Sequence, residues 1–163
     1  MAPSTEYLRA DLADARHAEW ITLLTNEYAQ DPMGNGEPLP ADVLRELVPG
    51  LRAQPTALVF LALVEGEPAG IATCFGGFST FKARPLINVH DVFVRAAYRG
   101  RGIASGLLKT VEAHALETGC CKLTLEVLEN NRTARRVYES QGFGQAVYTE
   151  AAGGALFYVK PLG

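Results

Sequence analysis

The residues best placed to do chemistry lie along Val94-Arg-Ala-Ala-Tyr-Arg-Gly-Arg-Gly-Ile-Ala-Ser105. Here a β-rich apolar stretch ends, the chain turns through glycines, and a helical pattern begins. Unpaired N–H groups at a helix N-terminus point outward with partial positive charge and accept phosphate oxygens. Gly100 and Gly102 let an anion reach the backbone, and Arg99 and Arg101 add positive charge. A turn of this kind also occurs with no ligand at all, so its fit to the better-known phosphate motifs matters. No Gly-x-x-x-x-Gly-Lys-Ser/Thr run exists in the chain, which excludes a Walker A loop. The dinucleotide fingerprint fits at Gly100 and Gly102, but its third position is Ser105, and the glycine arrives one residue late at Gly106. That fingerprint also belongs to the first βα unit of an alternating fold, whereas this turn follows two helices and several strands.

The elements that must position this turn follow from periodicity. A weak strand is expected over residues 4–9. Asp14 to Gln30 predicts a helix, with Trp20, Leu23, Leu24 and Tyr28 on one side. A Gly/Pro-rich break over 31–38 precedes a second helix from Ala41 to Arg52. Ala57–Glu65 is continuously apolar, as suits a strand buried on both faces. Ala69–Phe78 and Leu86–Val94 are further strands, and the glycine turn then opens a helix running to Thr118, stopped by Gly119. Cys121–Leu128 is the next strand, and Asn131–Gln141 a short helix ended by Gly142. Phe143–Thr149 and Ala155–Lys160 are expected as a closing pair of strands. The order βααβββαβαββ indicates an α/β (α+β) fold with a mixed sheet.

Composition bounds the alternatives. The 163 residues and 17.6 kDa suit one domain, residues 1–163. With 48% apolar and 20% charged residues, disorder and coiled coil are excluded. Fifteen basic against 18 acidic side chains give a net charge of −3, without the basic excess of a nucleic-acid binder. Cys74, Cys120 and Cys121 show no metal-ligand spacing and read as reduced thiols, so neither metal nor disulfide is expected. The stretch from Met1 to Glu6 lacks a basic segment leading into an apolar one, and the longest apolar run, Ala57 to Val64, falls short of the ~20 residues that span a bilayer. The expectation is a cytoplasmic protein with no membrane or nucleic-acid partner.

Read as Arg99-x-x-Gly102-x-Ala104, the glycine turn resembles the pyrophosphate loop of the GNAT superfamily of N-acetyltransferases. Asn131-x-x-Ala134-x-x-x-Tyr138-x-x-x-Gly142-Phe143 is similar to the second cofactor motif of that family, and the match is independent of the first. The resemblance is specific over residues 57–160. It implies a mostly antiparallel central sheet of about six to seven strands, splayed at a cofactor cleft and flanked by about four helices. It also implies transfer of an acetyl group from acetyl-CoA to an amine. The pantetheine arm would lie where the strand ending at Val94 parts from the Cys121–Leu128 strand. Main-chain groups of Val92, Phe93 and Val94 would pair with that arm, the Val94 N–H also polarising the thioester carbonyl. Arg99, Gly100, Arg101, Gly102, Ile103, Ala104 and Ser105 would hold the pyrophosphate, and Asn131, Ala134 and Tyr138 would complete the cofactor site.

In that resemblance Tyr138 sits near the departing sulfur. A phenol ionises near 10 and a thiol near 8.5, so full proton transfer from an unperturbed tyrosine is uphill by about 2 kcal/mol. Its expected role is therefore a hydrogen bond that supports the thiolate, with proton donation late or assisted by a tuned pKa. The attacking amine must first lose a proton, and His90 is the leading base, placed on the same strand face as Asn88, Val92 and Val94 by alternation. Relatives often carry a carboxylate there instead. Asp91 falls on the opposite face and reads as a buried, hydrogen-bonded carboxylate, while Glu126 on the neighbouring strand is a further candidate base. No cysteine lies in either motif, so direct attack in a ternary complex is expected.

For the acceptor, Asp31, Glu37 and the loop around them offer carboxylates to a cationic amine, and Phe78-Ser-Thr-Phe81 offers a facing wall. A small-molecule amine and a lysine or peptide amine remain open. The alternative reading is a non-catalytic acyl-CoA-binding or sensing module; a dinucleotide oxidoreductase is a more distant rival. By similarity the partner chain, if any, is a second copy in a homodimer.

Overall fold

The computed structural model describes residues 3–163. The first two residues of the stretch read above as leader-free, Met1 and Ala2, lie outside the described residues. The chain runs β1 (Thr5–Arg9), α1 (Ala15–Gln30), α2 (Ala41–Ala53), β2 (Ala57–Val64), β3 (Glu67–Ser79), β4 (Arg84–Val94), α3 (Ile103–Glu117), β5 (Leu123–Leu125) and α4 (Arg132–Ser140). The strands form one sheet in the order β1-β2-β3-β4-β5, antiparallel except for the parallel β4–β5 pair.

β2 shows why this sheet is covered twice. Its Phe60, Ala62 and Val64 enter a core with Ile103, Leu107, Leu108, Val111 and Ala115 of α3. The alternate residues Val59, Leu61 and Leu63 enter a second core with Ile21 and Leu24 of α1 and Val48 and Leu51 of α2. A strand with apolar side chains on both parities can only be satisfied between two helical layers. The helices begin and stop where local chemistry dictates. Asp14 caps α1 by accepting from the N–H groups of Arg16 and His17, and Asn131 caps α4 through Ala134. Gly119, at φ +75°, follows α3. The late glycine of the fingerprint, Gly106, has a packing explanation: a side chain there would run into the Tyr7 ring of β1.

Two features of the sheet position the cleft. First, β3 and β4 lose register between Thr73, opposite Asp91, and Cys74, opposite Val89, leaving His90 as the extra residue of a β-bulge. Before the bulge Ile87 and Val89 face the α3 core; beyond it Val92 and Val94 face that core, and Phe93 faces the α1/α2 core. Second, β5 pairs with β4 only from Ile87–Leu123 to Val89–Leu125. The side chain of Asn88 ties this closed end by donating to Thr124 Oγ1 at 2.9 Å. Past Val89, the edge of β4 has no neighbouring strand among the described residues.

The structure corrects four expectations. The strand expected over 121–128 is reduced to Leu123–Leu125, because its pairing with β4 stops at Val89, the residue before the bulge. The closing strands expected over 143–149 and 155–160 join no ladder; Val147 and Gly154 form an isolated bridge. Among the described residues the sheet therefore has five strands rather than six or seven. Leu156, Phe157, Tyr158 and Val159 are exposed, since β-propensity yields a strand only where an edge and a face receive it. His90 also does not share the face of Val92 and Val94, because the bulge reverses the alternation between them and its ring lies against Phe75.

Candidate active site

The glycine turn is built as the sequence suggested. β4 ends at Val94, a single 3-10 turn spans Ala96–Tyr98, and Gly100 and Gly102 both adopt left-handed backbone, at φ +74° and +75°. Gly102 is the N-cap of α3 and carries no side chain to cap it. Among the described residues, and apart from each glycine's own chain neighbours, no heavy atom lies within 4 Å of the place a Cβ would take at either glycine, so their surface is open. Among the described residues, the backbone N–H groups of Gly100 through Ser105 find no acceptor; the next, that of Gly106, bonds to Gly102 O at 3.0 Å. Such a run of free donors at a helix N-terminus suits a diphosphate.

The two arginines of the turn are less free. Arg99 donates from Nε to the Val94 carbonyl at 2.9 Å and from its terminal nitrogen to Asp31 at 2.7 Å, with its guanidinium 5.7 Å from the Phe93 ring centroid. Arg101 lies over the Tyr98 ring and donates to Ala97 O at 3.3 Å.

From this turn the unpaired edge of Val92, Phe93 and Val94 leads towards the bulge, where the titratable groups gather. Tyr138 reaches the gap from α4, with Phe143 edge-on at 6.1 Å between ring centroids. Burial pushes its phenol up to about 12, and the charges of Tyr28 and Asp91 act in the same direction. Tyr28 comes from the last turns of α1 and packs 5.6 Å from the Phe93 ring; burial and then Asp91 raise it too. Asp91 is half-buried. Its carboxyl is raised above the ordinary value by burial, with the positive charge of His90 pulling the other way. Cys74, fully buried, is pushed to about 12 by burial and then by Asp91. Asp91 is thus the charge felt by every perturbed group of the gap.

The other candidates lie around this gap or away from it. His90 is exposed at the bulge, its ring edge-on to Phe75 at 5.5 Å. Glu126 is exposed just beyond β5. Asn131 uses its side-chain oxygen to cap α4 at Ala134 N. Asp31 pairs with Arg99, and Glu37 is exposed. Phe78 and Phe81 sit at the β3–β4 hairpin tip, about 20 Å along the strand from Asp91 at ~3.3 Å per residue, so they form no wall of this gap. Strand and helix periodicity alone does not bring Asp91 and Tyr28 into the site. The bulge that puts Asp91 in phase with Phe93 has no glycine to announce it; a polar His-Asp pair inside an apolar strand was the available signal. Among the described residues no group of three or more His, Cys, Asp or Glu side chains could hold a metal ion.

Comparison with known proteins gives the same frame. The acetyltransferase (GNAT) family matches residues 14–143. The thialysine N-epsilon-acetyltransferase of Bos taurus is 37% identical over 97 residues, 56% of this chain and 55% of that one. An uncharacterised N-acetyltransferase of Bacillus subtilis is 30% identical over 132 residues, 76% of this chain and 83% of its own. The chain spans about half the length of the mammalian relatives it matches. In fold, it is similar to a probable acetyltransferase at TM-score 0.80, with 20% identity and 97% and 98% of the two chains covered. It is also similar to an aminoglycoside N-acetyltransferase solved with CoA, at TM-score 0.75 and 17% identity over 99% and 98% of the chains. On the breadth of the family match and the Bacillus relative, the chain belongs to the acetyltransferase (GNAT) family.

Proposed function

We propose that this chain transfers an acetyl group from acetyl-CoA to a primary amine of a small molecule, by direct attack in a ternary complex. The observation that carries the reading is the run of unpaired N–H groups from Gly100 to Ser105, continuous with the open edge of β4. The residues present fit the cofactor: a diphosphate meets donors and no side chain at Gly100 and Gly102. Arg101, Ile103, Ala104 and Ser105 complete that cradle. Val92, Phe93 and Val94 are the proposed main-chain partners of the pantetheine arm, and Asn131 and Ala134 its neighbours at the start of α4. Acetyl-CoA supplies the activated acyl group.

The two faces of the gap take different tasks. Tyr138 approaches from the side of α3 and α4, and Asp91 with Tyr28 from the side of α1 and α2. Tyr138 keeps its proton and donates a hydrogen bond to the leaving sulfur. Asp91 accepts the proton of the incoming ammonium, directly or through one water. His90 acts on Asp91, its positive charge favouring the carboxylate. The thialysine relative supports an amine on a flexible chain as acceptor. The exposed apolar segment Leu156–Val159 supports a second copy as partner, and three free cysteines support a reducing, cytoplasmic setting.

The test is amine-dependent release of free thiol from acetyl-CoA, with thialysine and an aminoglycoside as first acceptors and mass spectrometry of the acetylated amine. Thiol release with either establishes turnover. CoA binding without release from a broad amine panel would favour the acyl-CoA sensing reading. Neither binding nor release would reject both.

A further inference from the structure

The Arg99–Asp31 pair joins the glycine turn, proposed to hold the diphosphate, to the loop whose carboxylates the sequence offers to the amine. Asp31 is the C-cap of α1, and the loop that follows hangs from it and from the end of the helix. Its Oδ1 accepts from Met33 N at 3.0 Å, its carbonyl from Gly34 N at 2.8 Å, and Ala29 O from Asn35 N at 2.9 Å. A side chain at Gly34 would collide with the Tyr28 carbonyl, so the loop lies tight against the helix end. Its far end is held by Asn26 Oδ1, which accepts from Leu39 N at 2.9 Å. The same helix end brings Tyr28 against Phe93, and Glu27 to Arg95 at 2.9 Å. Arg99 spans the remaining distance with one planar group, bonded at Nε to the end of β4 and at its terminal nitrogen to Asp31. Asp31 is the more buried partner, its side chain 18% exposed against 50% for Arg99.

We infer that Arg99 is a positioning residue for the amine side: it fastens the 31–36 loop to the end of β4 and is not a diphosphate ligand. Two of its donors are already committed, and the pair needs a fork that reaches two acceptors at once. A lysine, being a point charge, keeps the charge but not the fork. The diphosphate is left to the backbone donors of Gly100–Ser105. This inference rests on the proposed transfer to an amine, and on the sequence-based expectation that the loop around Asp31 faces that amine.

The experiment compares Arg99→Gln, Arg99→Lys, Asp31→Asn and the double variant Asp31→Asn/Arg99→Gln with the parent protein. Three quantities are read: the CoA dissociation constant by titration calorimetry, kcat and KM for thialysine, and amide hydrogen exchange of Met33, Gly34 and Asn35 without ligand. Each single variant is expected to raise the thialysine KM by about tenfold with kcat held within about twofold, as for loss of a charged hydrogen bond used only in binding. The double variant should be no worse than the singles, Lys should not rescue, and the loop amides should exchange faster in all variants. CoA affinity should change by less than about fivefold. A larger loss of CoA affinity in Arg99→Gln that Lys restores would make Arg99 a phosphate ligand and overturn the inference; so would additive effects in the double variant. Should thialysine not be a substrate, unchanged exchange at Met33–Asn35 overturns it and faster exchange supports it. CoA binding by the parent protein is a separate readout, and its failure would count against the proposed function alone.

Discussion

At neutral pH the Tyr138 phenol is a fixed donor: burial has lifted it to about 12, and it stays protonated throughout the working range. Set against a thiol near 8.5, proton transfer from such a phenol is uphill by about 3.5 units, or about 5 kcal/mol. A hydrogen bond to a developing thiolate is what it offers, and charged hydrogen bonds are worth roughly 1.5–3 kcal/mol. Tyr138→Phe is therefore expected to lower kcat by about 10- to 100-fold while changing CoA affinity little, as steady-state rates and titration calorimetry will show. A loss of affinity with kcat kept would give Tyr138 a binding role instead. Asp91 and His90 separate by their pH profiles. A base must be deprotonated to work, so activity falls as pH drops through its pKa. Asp91→Asn should remove that acidic limb together with most of the rate. His90→Ala should keep the limb but move it to higher pH, because the imidazolium that pulls the Asp91 pKa down is gone. If His90→Ala abolishes the limb and Asp91→Asn spares it, the histidine is the base that the unbulged strand implied.

The bulge in β4 and the glycine turn after it are the elements that make a site of these residues, and they differ in how openly the sequence shows them. The turn was legible, because positive φ at Gly100 and Gly102 admits few residues besides glycine and because arginine and glycine recur at a helix start. The bulge was not, since it requires no residue type and appears only when two strands are paired. Its effect is large: one extra residue, His90, puts Asp91 in phase with Phe93, which faces the α1/α2 core, and the β4–β5 pairing stops at Val89, just before it. Asn131 and Arg99 show a subtler limit. A motif tells which positions matter but not whether a side chain caps a helix, grips a neighbouring loop or touches a ligand. The turn itself can be tested through ligand-linked stability. CoA at about 100 times its dissociation constant stabilises by about 2.7 kcal/mol, a rise in melting temperature of roughly 5–11 °C for a chain of this size. Gly102→Ala places a side chain in left-handed backbone with nothing nearby, so it should cost about 1–2 kcal/mol and keep a CoA shift. Gly102→Glu carries a similar backbone cost, adds a carboxylate in the cradle, and should lose the shift altogether. An undiminished shift in Gly102→Glu would place CoA elsewhere.

Across the whole molecule, the double-sided burial of β2 was written in its unbroken apolar run, and both helical layers followed from it. The end of the chain was not legible in this way, because Phe157 to Val159 have the composition of a strand while β5 presents only 3 residues of edge. The molecule also holds a half-buried acid against its own stability. The folded-state pKa of Asp91 is raised, by burial above all, so between its unfolded value and its folded value the folded chain binds a proton that the unfolded chain releases. Stability attributable to this group therefore falls as pH rises through that window, and the deficit is complete above the folded pKa. An asparagine side chain in its place would be free of it, having nothing to ionise. Asp91→Asn is accordingly expected to raise the melting temperature at pH 7 and to give no comparable gain below the ordinary carboxylate pKa of about 3.9, where both states of the parent carry a neutral acid. Calorimetric melts of the two proteins at pH 7 and pH 3.5 will check it. A gain at pH 7 that accompanies loss of turnover means the carboxylate is retained for its chemistry at the expense of stability. Equal melting temperatures at pH 7 would mean that solvent or a neighbouring donor already satisfies the charge, and that Asp91 is too weak a base for the role assigned to it.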